Sequence, residues 1–333
     1  MCKILVIPHV KPSNYKNVWK FVETVTKPLV ATERHGFGYM ALDDKGNLFG
    51  ERWVNVNDAF RVRETLSKFE LSLLNLYKGF LNSYESYNSF GAMDQKRITS
   101  ICLHGRTATS EVSLRNTHPF VSGDTALIHN GVVSTCKLKL HTSTCDSEGI
   151  LNQYLEENVG ADIQNVQRLA DKLQGWYACA AYTKVKDKWY LDVFKDNKSN
   201  LEAVFVEELD SLVFCTSAKV IYAACKKLKW TIRSAFAVRS NAIIRIDPLT
   251  GQVIEIKNFV SEKPFNLLSL SNNYNSAPEK VSIAREVDNF WDSTGYTDDT
   301  PPSLNPYEDT TAISAAVQED IMEYQRRIPL KKP

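Results

Sequence analysis

The sequence predicts an α+β layer architecture, and three observations carry that prediction. Strand-like and helical runs arrive in blocks along residues 1–258 rather than as a βαβα alternation, which favours stacked sheets and helices. Hydrophobic residues make up 43% and charged residues 24% of the 333, ordinary globular usage that can build a sizeable core. The character of the chain then changes after residue 258, so one large domain with an appendage is expected, although the length alone also accommodates two domains of about 150 residues.

The elements follow in order. Lys3–Ile7 reads as a first strand, and Phe37–Leu42 with Leu48–Trp53 as a strand pair turned at Asp44, Lys45 and Gly46. Asp58–Tyr77 carries Phe60, Leu66, Phe69, Leu73 and Leu76 at helical spacing. Arg97–Leu103 and Ala126–Val133 read as strands, Ser147–Asn158 as a helix with Ile150, Leu151, Tyr154 and Leu155 on one side, and Ile163–Leu173 as another helix. The rest is strand-rich: Trp176–Thr183, Lys188–Phe194, Ala203–Glu207, Leu212–Thr216 and Ala242–Ile246 are β-branched or aromatic, with a helix near Ala218–Lys227. Residues 259–333 hold seven of the twelve prolines, and Glu286–Asp309 has seven acidic residues without Lys or Arg. This segment is expected to be extended or disordered, with one short helix over Thr311–Arg326.

Lys plus Arg is 40 and Asp plus Glu 39, a net charge of +1, so no global field draws in nucleic acid or an anionic bilayer. Apolar stretches such as Trp176–Tyr182 fall far short of the roughly 20 residues a membrane span needs. The run Ile4–Ile7 stops at Pro8, too short for a secretory h-region, and a cytoplasmic location is expected. Seven cysteines without CxxC pairs, several in strand-like segments, have the usage of reduced thiols. Six scattered histidines give no two-ligand spacing on a helix face, so no metal site and no cofactor are assigned.

Four segments could carry chemistry. Cys2 follows Met1, and loss of Met1 would put a thiol and an α-amine on one residue, a nucleophile with its own base; the alternative is a small core residue opening a strand. In ALIHNGVVS, residues 126–134, Asn130 and Gly131 lie between apolar residues, which is a strong signal for a type I′ hairpin turn. The same pair can also form an oxyanion hole from a side-chain amide and a backbone N–H. Arg106, in LHGRTATS just past a strand end, can pair bidentately with a carboxylate or remain a solvated charge. Asp146, in CDSEG, can cap a helix or bind an ammonium group.

Together these pieces resemble class II glutamine amidotransferases of the N-terminal nucleophile hydrolase superfamily. The initial MC, HGFGYMAL at 35–42, HGRTAT at 104–109, NTHPF at 116–120, HNG at 129–131 and DSE at 146–148 occur in the family's order, and GWYACAAY at 175–182 with VFCTSAKVIYAAC at 213–225 extends the likeness to about residue 258. The resemblance implies an αββα sandwich in residues 1–258, with 259–333 as a tail. It implies that Cys2 attacks the glutamine side-chain amide while its α-amine shuttles the proton, giving a γ-glutamyl thioester and ammonia, then glutamate. It also implies that Asn130 and Gly131 stabilise the oxyanion, that Arg106 holds the α-carboxylate and Asp146 the α-ammonium, and that Thr107, Thr109 and His118 line the pocket. Thr107 stands where a synthase of the family has tryptophan, and the spacing is similar to that of small stand-alone members, some acting on other γ-glutamyl compounds.

The 75 residues after 258 hold no acceptor domain, and the chain has no SGGxDS or GxxxxGK[ST] loop. Three functions are therefore compatible with the sequence: an amidotransferase whose ammonia acceptor is a separate enzyme, a stand-alone amidohydrolase, and a catalytically silent binding protein. Within the tail, Phe290, Trp291 and Tyr296 among the acids suit either a docking segment for the acceptor or a solubilising role.

Overall fold

The computed structural model describes residues 2–33, 35–54 and 98–260. The helical pattern over 58–77 and nearly all of the segment after 258 lie outside the described residues. The elements are β1 Lys3–Ile7, α1 Tyr15–Thr32, β2 Gly36–Asp43, β3 Leu48–Val54, β4 Ile98–Arg106, β5 Phe120–Ser122, β6 Thr125–Val133, α2 Asp146–Glu156, α3 Val166–Lys172, β7 Gly175–Val185, β8 Lys188–Lys195, β9 Glu202–Val206, β10 Ser211–Cys215, α4 Ala218–Leu228, β11 Ile232–Ala237, β12 Ala242–Ile246 and β13 Val253–Asn258. The helix read over 163–173 splits into a 3₁₀ turn, Ile163–Asn165, and α3.

Two antiparallel sheets form the centre. The first runs β11-β9-β10-β1-β4-β2-β3 and the second β13-β12-β8-β7-β6-β5. Period-two alternation sorts each strand's side chains between two layers. Leu5 and Ile7 of β1, Phe37, Tyr39 and Ala41 of β2, and Ile101 and Leu103 of β4 pack with Phe21, Val25 and Leu29 of α1 and Ile221 and Ala224 of α4. Leu127 of β6, Tyr177 and Cys179 of β7 and Phe194 of β8 pack with Ile150, Leu151 and Tyr154 of α2 and Val166 and Leu169 of α3. The other faces meet between the sheets, where Ile4, Val6, Met40, Cys102, Ile128 and Ala180 are all fully buried. The hydroxyls of Ser100 on β4 and Tyr182 on β7 lie 2.5 Å apart and tie the two sheets. The result is helices, sheet, sheet, helices: the αββα order that the sequence resemblance implies. Among the described residues no helix is long and apolar enough to cross a membrane.

Several elements depart from the sequence expectation, among them strands β5, β11 and β13, which have no counterpart in it. Helix α1 has no counterpart there, because Val18, Val22, Thr24, Val25 and Thr26 are β-branched and Pro28 interrupts the pattern. Packing overrides propensity: Phe21, Val25 and Leu29 recur every four residues and bury almost completely against the first sheet. Strand β4 runs on to Arg106, so that arginine is the last residue of the strand rather than a residue beyond it.

On the α2 side of the second sheet, Arg245 of β12 donates to both carboxylate oxygens of Asp192 on β8, at 2.8 and 2.6 Å, and to the Val159 carbonyl at 2.7 Å. The Tyr154 hydroxyl donates to the same carboxylate at 2.6 Å, and the guanidinium lies 4.7 Å from the Tyr190 ring centroid. This buried charge is answered wholly by the protein, as burial requires.

Candidate active site

Strand alternation assembles the site. Strands β1 and β4 pair with Lys3 opposite Gly105 and Ile4 opposite His104, and their odd-numbered residues face the helices. Cys2, His104 and Arg106 therefore share the face that looks toward the second sheet. In β6, Leu127 and Val133 face α2, so Asn130 looks back toward the first sheet. His104 Nε2 lies 3.0 Å from the His129 carbonyl and joins the two sheets at this end. A carbonyl only accepts, so His104 carries its proton on Nε2.

Cys2 is half-buried, and its thiol donates to the Thr107 carbonyl at 3.3 Å. Burial pushes the thiol up to about 11; Glu33 adds to the rise, while the Thr107 contact and the Arg106 guanidinium oppose it. A thiol this reluctant to ionise needs a base to become a nucleophile. Arg106 is only 2% exposed. Its Nη2 donates to Ser110 Oγ at 3.2 Å and to the Glu111 carbonyl at 3.1 Å, but its Nη1 is buried without a hydrogen-bond partner among the described residues. Burial lowers its pKa, and the countering groups are Cys145, Cys2, Asp146 and Glu111, which places Cys2 and the start of α2 around one guanidinium.

Asn130 and Gly131 are not a hairpin turn. They lie inside β6, opposite Ala178 and Tyr177 of β7, because the nine-residue strand runs straight through them. Gly131 has φ +149, and a Cβ there would stand 2.0 Å from the Trp176 carbonyl oxygen. The glycine is thus demanded by close strand approach rather than by a turn. Asn130 is 9% exposed and its Oδ1 has no partner among the described residues.

Asp146 does not cap α2 with its side chain. Cys145 occupies the N-cap position, and Asp146 Oδ2 instead accepts from the Val133 N–H at 2.8 Å, tying the helix start to the end of β6. Two residues on, Glu148 accepts from the Thr142 and Ser143 N–H groups, both at 2.9 Å, and from both hydroxyls. Burial would raise this carboxyl, but the hydrogen bonds from Ser143 and Thr142 outweigh it and hold it at about 2. Glu148 therefore organises the loop that leads into α2.

His118 is 2% exposed, and its Nε2 lies 2.8 Å from Ser147 Oγ. Its ring lies against His104 with centroids 3.8 Å apart and the planes tilted by 34°. His129 Nδ1 approaches the same hydroxyl at 3.0 Å and Asp146 Oδ1 at 3.8 Å. A hydroxyl has one proton, so at least one of these two histidines donates to Ser147. Burial lowers the pKa of all three, with His104 at about 3, and keeps them neutral. Thr107 and Thr109 follow β4 on a loop; Thr109 is exposed, whereas the Thr107 hydroxyl donates to the carboxylate of Glu33.

The site thus brings Cys2, Arg106, Asn130, Thr107 and Asp146 to one end of the inter-sheet layer, with His118 in the polar cluster beside them. Sequence reasoning missed His104, His129, Ser147, Glu148 and Glu33. The first four stand within the motifs quoted, where burial, of His104 between the sheets and of His129, Ser147 and Glu148 around the start of α2, was the missing information, and Glu33 had no local signal. Among the described residues no group of three His, Cys, Asp or Glu is arranged to hold a metal ion.

No protein-family model matches the chain, and no curated protein sequence matches it either. Solved structures do. The glutamine phosphoribosylpyrophosphate (PRPP) amidotransferase from B. subtilis, complexed with ADP and GMP, superimposes with a TM-score of 0.50 at 15% identity, over 74% of this chain and 47% of that one. A structure of the allosteric regulatory enzyme of purine biosynthesis matches with a TM-score of 0.50 at 14% identity over the same shares. The chain spans about half the length of these structures. At this identity the likeness establishes the fold, the N-terminal nucleophile hydrolase-like sandwich that the motif order implies.

Proposed function

We propose that this chain is a glutaminase of the class II amidotransferase type, in which Cys2, released as the first residue, attacks the side-chain amide of glutamine. The observation that carries the reading is the shared inter-sheet face of Cys2, Arg106 and Asn130, with Arg106 Nη1 buried and unpartnered. A buried guanidinium lacking a carboxylate of its own suits a ligand that brings one.

The chemistry follows from the residues. The α-amine of Cys2, with an ordinary pKa of about 7.7 to 8.0, takes the thiol proton that burial otherwise retains. Sulfur adds to the amide carbon, and the negative oxygen is met by the Asn130 amide and the Gly131 N–H. Collapse expels ammonia, with the proton returned by the α-ammonium, and leaves a γ-glutamyl thioester. Water then attacks with the same amine as base, releasing glutamate and the thiol. Arg106 binds the α-carboxylate, Asp146 the α-ammonium, and Thr107, Thr109 and His118 shape the pocket. No step calls for a metal or cofactor. The ammonia passes to a separate acceptor enzyme, with the acidic, aromatic segment after residue 258 as its docking element, and the whole operates in the cytoplasm.

A second reading draws on one observation: Thr107, Ala108 and Thr109, the loop after Arg106, are all small, and the Thr107 hydroxyl is committed to Glu33. Such a loop admits a γ-glutamyl compound with a larger amide substituent. Incubating the purified protein with glutamine and with a γ-glutamyl dipeptide, and measuring glutamate and ammonia beside a Cys2→Ala control, separates the readings. Release from glutamine that disappears in Cys2→Ala supports the first; release from the dipeptide alone supports the second; none from either leaves a silent scaffold. Intact mass tests the base, because fully active protein that retains Met1 would exclude the α-amine of Cys2.

A further inference from the structure

Beneath the nucleophile lies a carboxylate that the mechanism above does not use. Glu33 follows the last turn of α1 and is 3% exposed. It reaches β4 only because residue 105 is glycine: a Cβ there would stand 2.9 Å from Glu33 Cβ. Its carboxylate accepts from the Thr107 hydroxyl, whose own residue's carbonyl accepts from the Cys2 thiol at 3.3 Å. Lys3, next to Cys2 in sequence, closes the set with Nζ 3.3 Å from Glu33 Oε1.

We infer that Glu33 is a positioning residue that, balanced by Lys3, sets the pH at which Cys2 becomes reactive. The inference rests on the reading of Cys2 as the nucleophile. A negative charge beside the thiol disfavours the thiolate, and beside the α-amine it favours the protonated ammonium; both effects delay activation to higher pH. Burial and the Glu33 charge already act in this direction on the thiol. The other charged groups acting on Cys2 are Arg106 from β4 and the terminal ammonium, both of which oppose Glu33, and behind Arg106 are Asp146 and Glu111, which act on it. Lys3 answers one oxygen of Glu33 and Thr107 the other, so the negative charge is trimmed rather than cancelled. The same bond to Thr107 holds the loop whose carbonyl receives the thiol.

The two partners predict opposite signs. In the full-length mature protein, the rate of Cys2 alkylation by iodoacetamide is followed against pH on the N-terminal peptide by mass spectrometry, with kcat/KM for glutamine in parallel. Glu33→Gln keeps the hydrogen bond from Thr107 and removes the charge, and its midpoint falls by about one pH unit. Lys3→Met leaves Glu33 uncompensated, and its midpoint rises. If the pair only anchored the loop, both variants would loosen one contact and both midpoints would move alike. Midpoints that move in the same direction, or that stay at the wild-type value, overturn the inference. Should Glu33→Gln fail to fold by circular dichroism, Lys3→Met decides alone: a rise supports the inference, and no change or a fall ends it. Wild-type protein that hydrolyses no glutamine while its alkylation midpoints split as described would overturn the glutaminase reading and leave the charge balance standing.

Discussion

Among the described residues two arginines are buried, and they are treated in opposite ways. Arg245 is 4% exposed, donates through Nε and Nη2 to the two oxygens of Asp192, and adds a backbone carbonyl and an aromatic face. Arg106 is 2% exposed, has a hydroxyl and one carbonyl as acceptors, and keeps Nη1 unpartnered. Burying a guanidinium costs several kcal/mol of desolvation unless it is paired. Around Arg245 the fold supplies the pair, and the burial pKa effect is overturned by Asp192 so that the cation is held more firmly than usual. Around Arg106 the fold withholds it, and burial lowers the pKa. The contrast teaches how to separate a structural charge from one kept for a ligand: the deficit of partners, rather than the depth of burial, marks the site.

The contrast can be broken first at its structural pole. Asp192→Ala strands Arg245 and the Tyr154 hydroxyl, so unfolding in urea should show a loss of about 3–5 kcal/mol, with turnover per folded molecule near wild type. A small loss with impaired turnover would mean that this network serves the site.

Glu148 belongs with Arg245, a buried charge satisfied by the protein. Its folded pKa lies below its unfolded value of 4.5, so its stabilisation is present above 4.5 and disappears as pH falls through about 2. Glu148→Gln should therefore cost about 3 kcal/mol near neutrality, and the gap to wild type should close between pH 5 and pH 2. A gap that is constant with pH would assign the loss to packing.

At the other pole, Asn130→Ala should lower kcat by about 10²-fold with little change in KM, as for a donor that acts in the transition state. Arg106→Met sharpens the comparison most, although its effect on stability is the smallest. KM for glutamine should rise strongly while unfolding free energy stays level or increases by about 1 kcal/mol, since an under-partnered charge has been removed. Destabilisation on the scale of Asp192→Ala would make Arg106 structural and erase the distinction drawn here.

Much of the sandwich was legible in strand-like segments rich in β-branched and aromatic residues: β1, β2, β3, β8 and β12 stand within about one residue of where these segments put them. Helix α1 was not, because its β-branched and proline content argues against a helix until the first sheet gives Phe21, Val25 and Leu29 a surface to cover. Asn130 and Gly131 misled for a related reason. Local chemistry gives a turn, and only pairing with β7, which brings Trp176 O to within 2.0 Å of a would-be Cβ at Gly131, reveals that the glycine serves a strand.

By itself the sequence determined most of the strands, though not β5, β11 or β13, which residues of each share a face, and the order of the motifs, since these depend on residue types and on periodicities of two and of 3.6 residues within a short window. Tertiary structure alone decided who meets across the chain: the Cys2 thiol with a carbonyl 105 residues away, Glu33 beneath them with Thr107, and His118 and His129 on one serine hydroxyl. Such meetings depend on strand register and on how two sheets stack, and a shift of one residue would turn every side chain to the opposite face. No local signal encodes that choice, because it is made by the burial of whole layers at once.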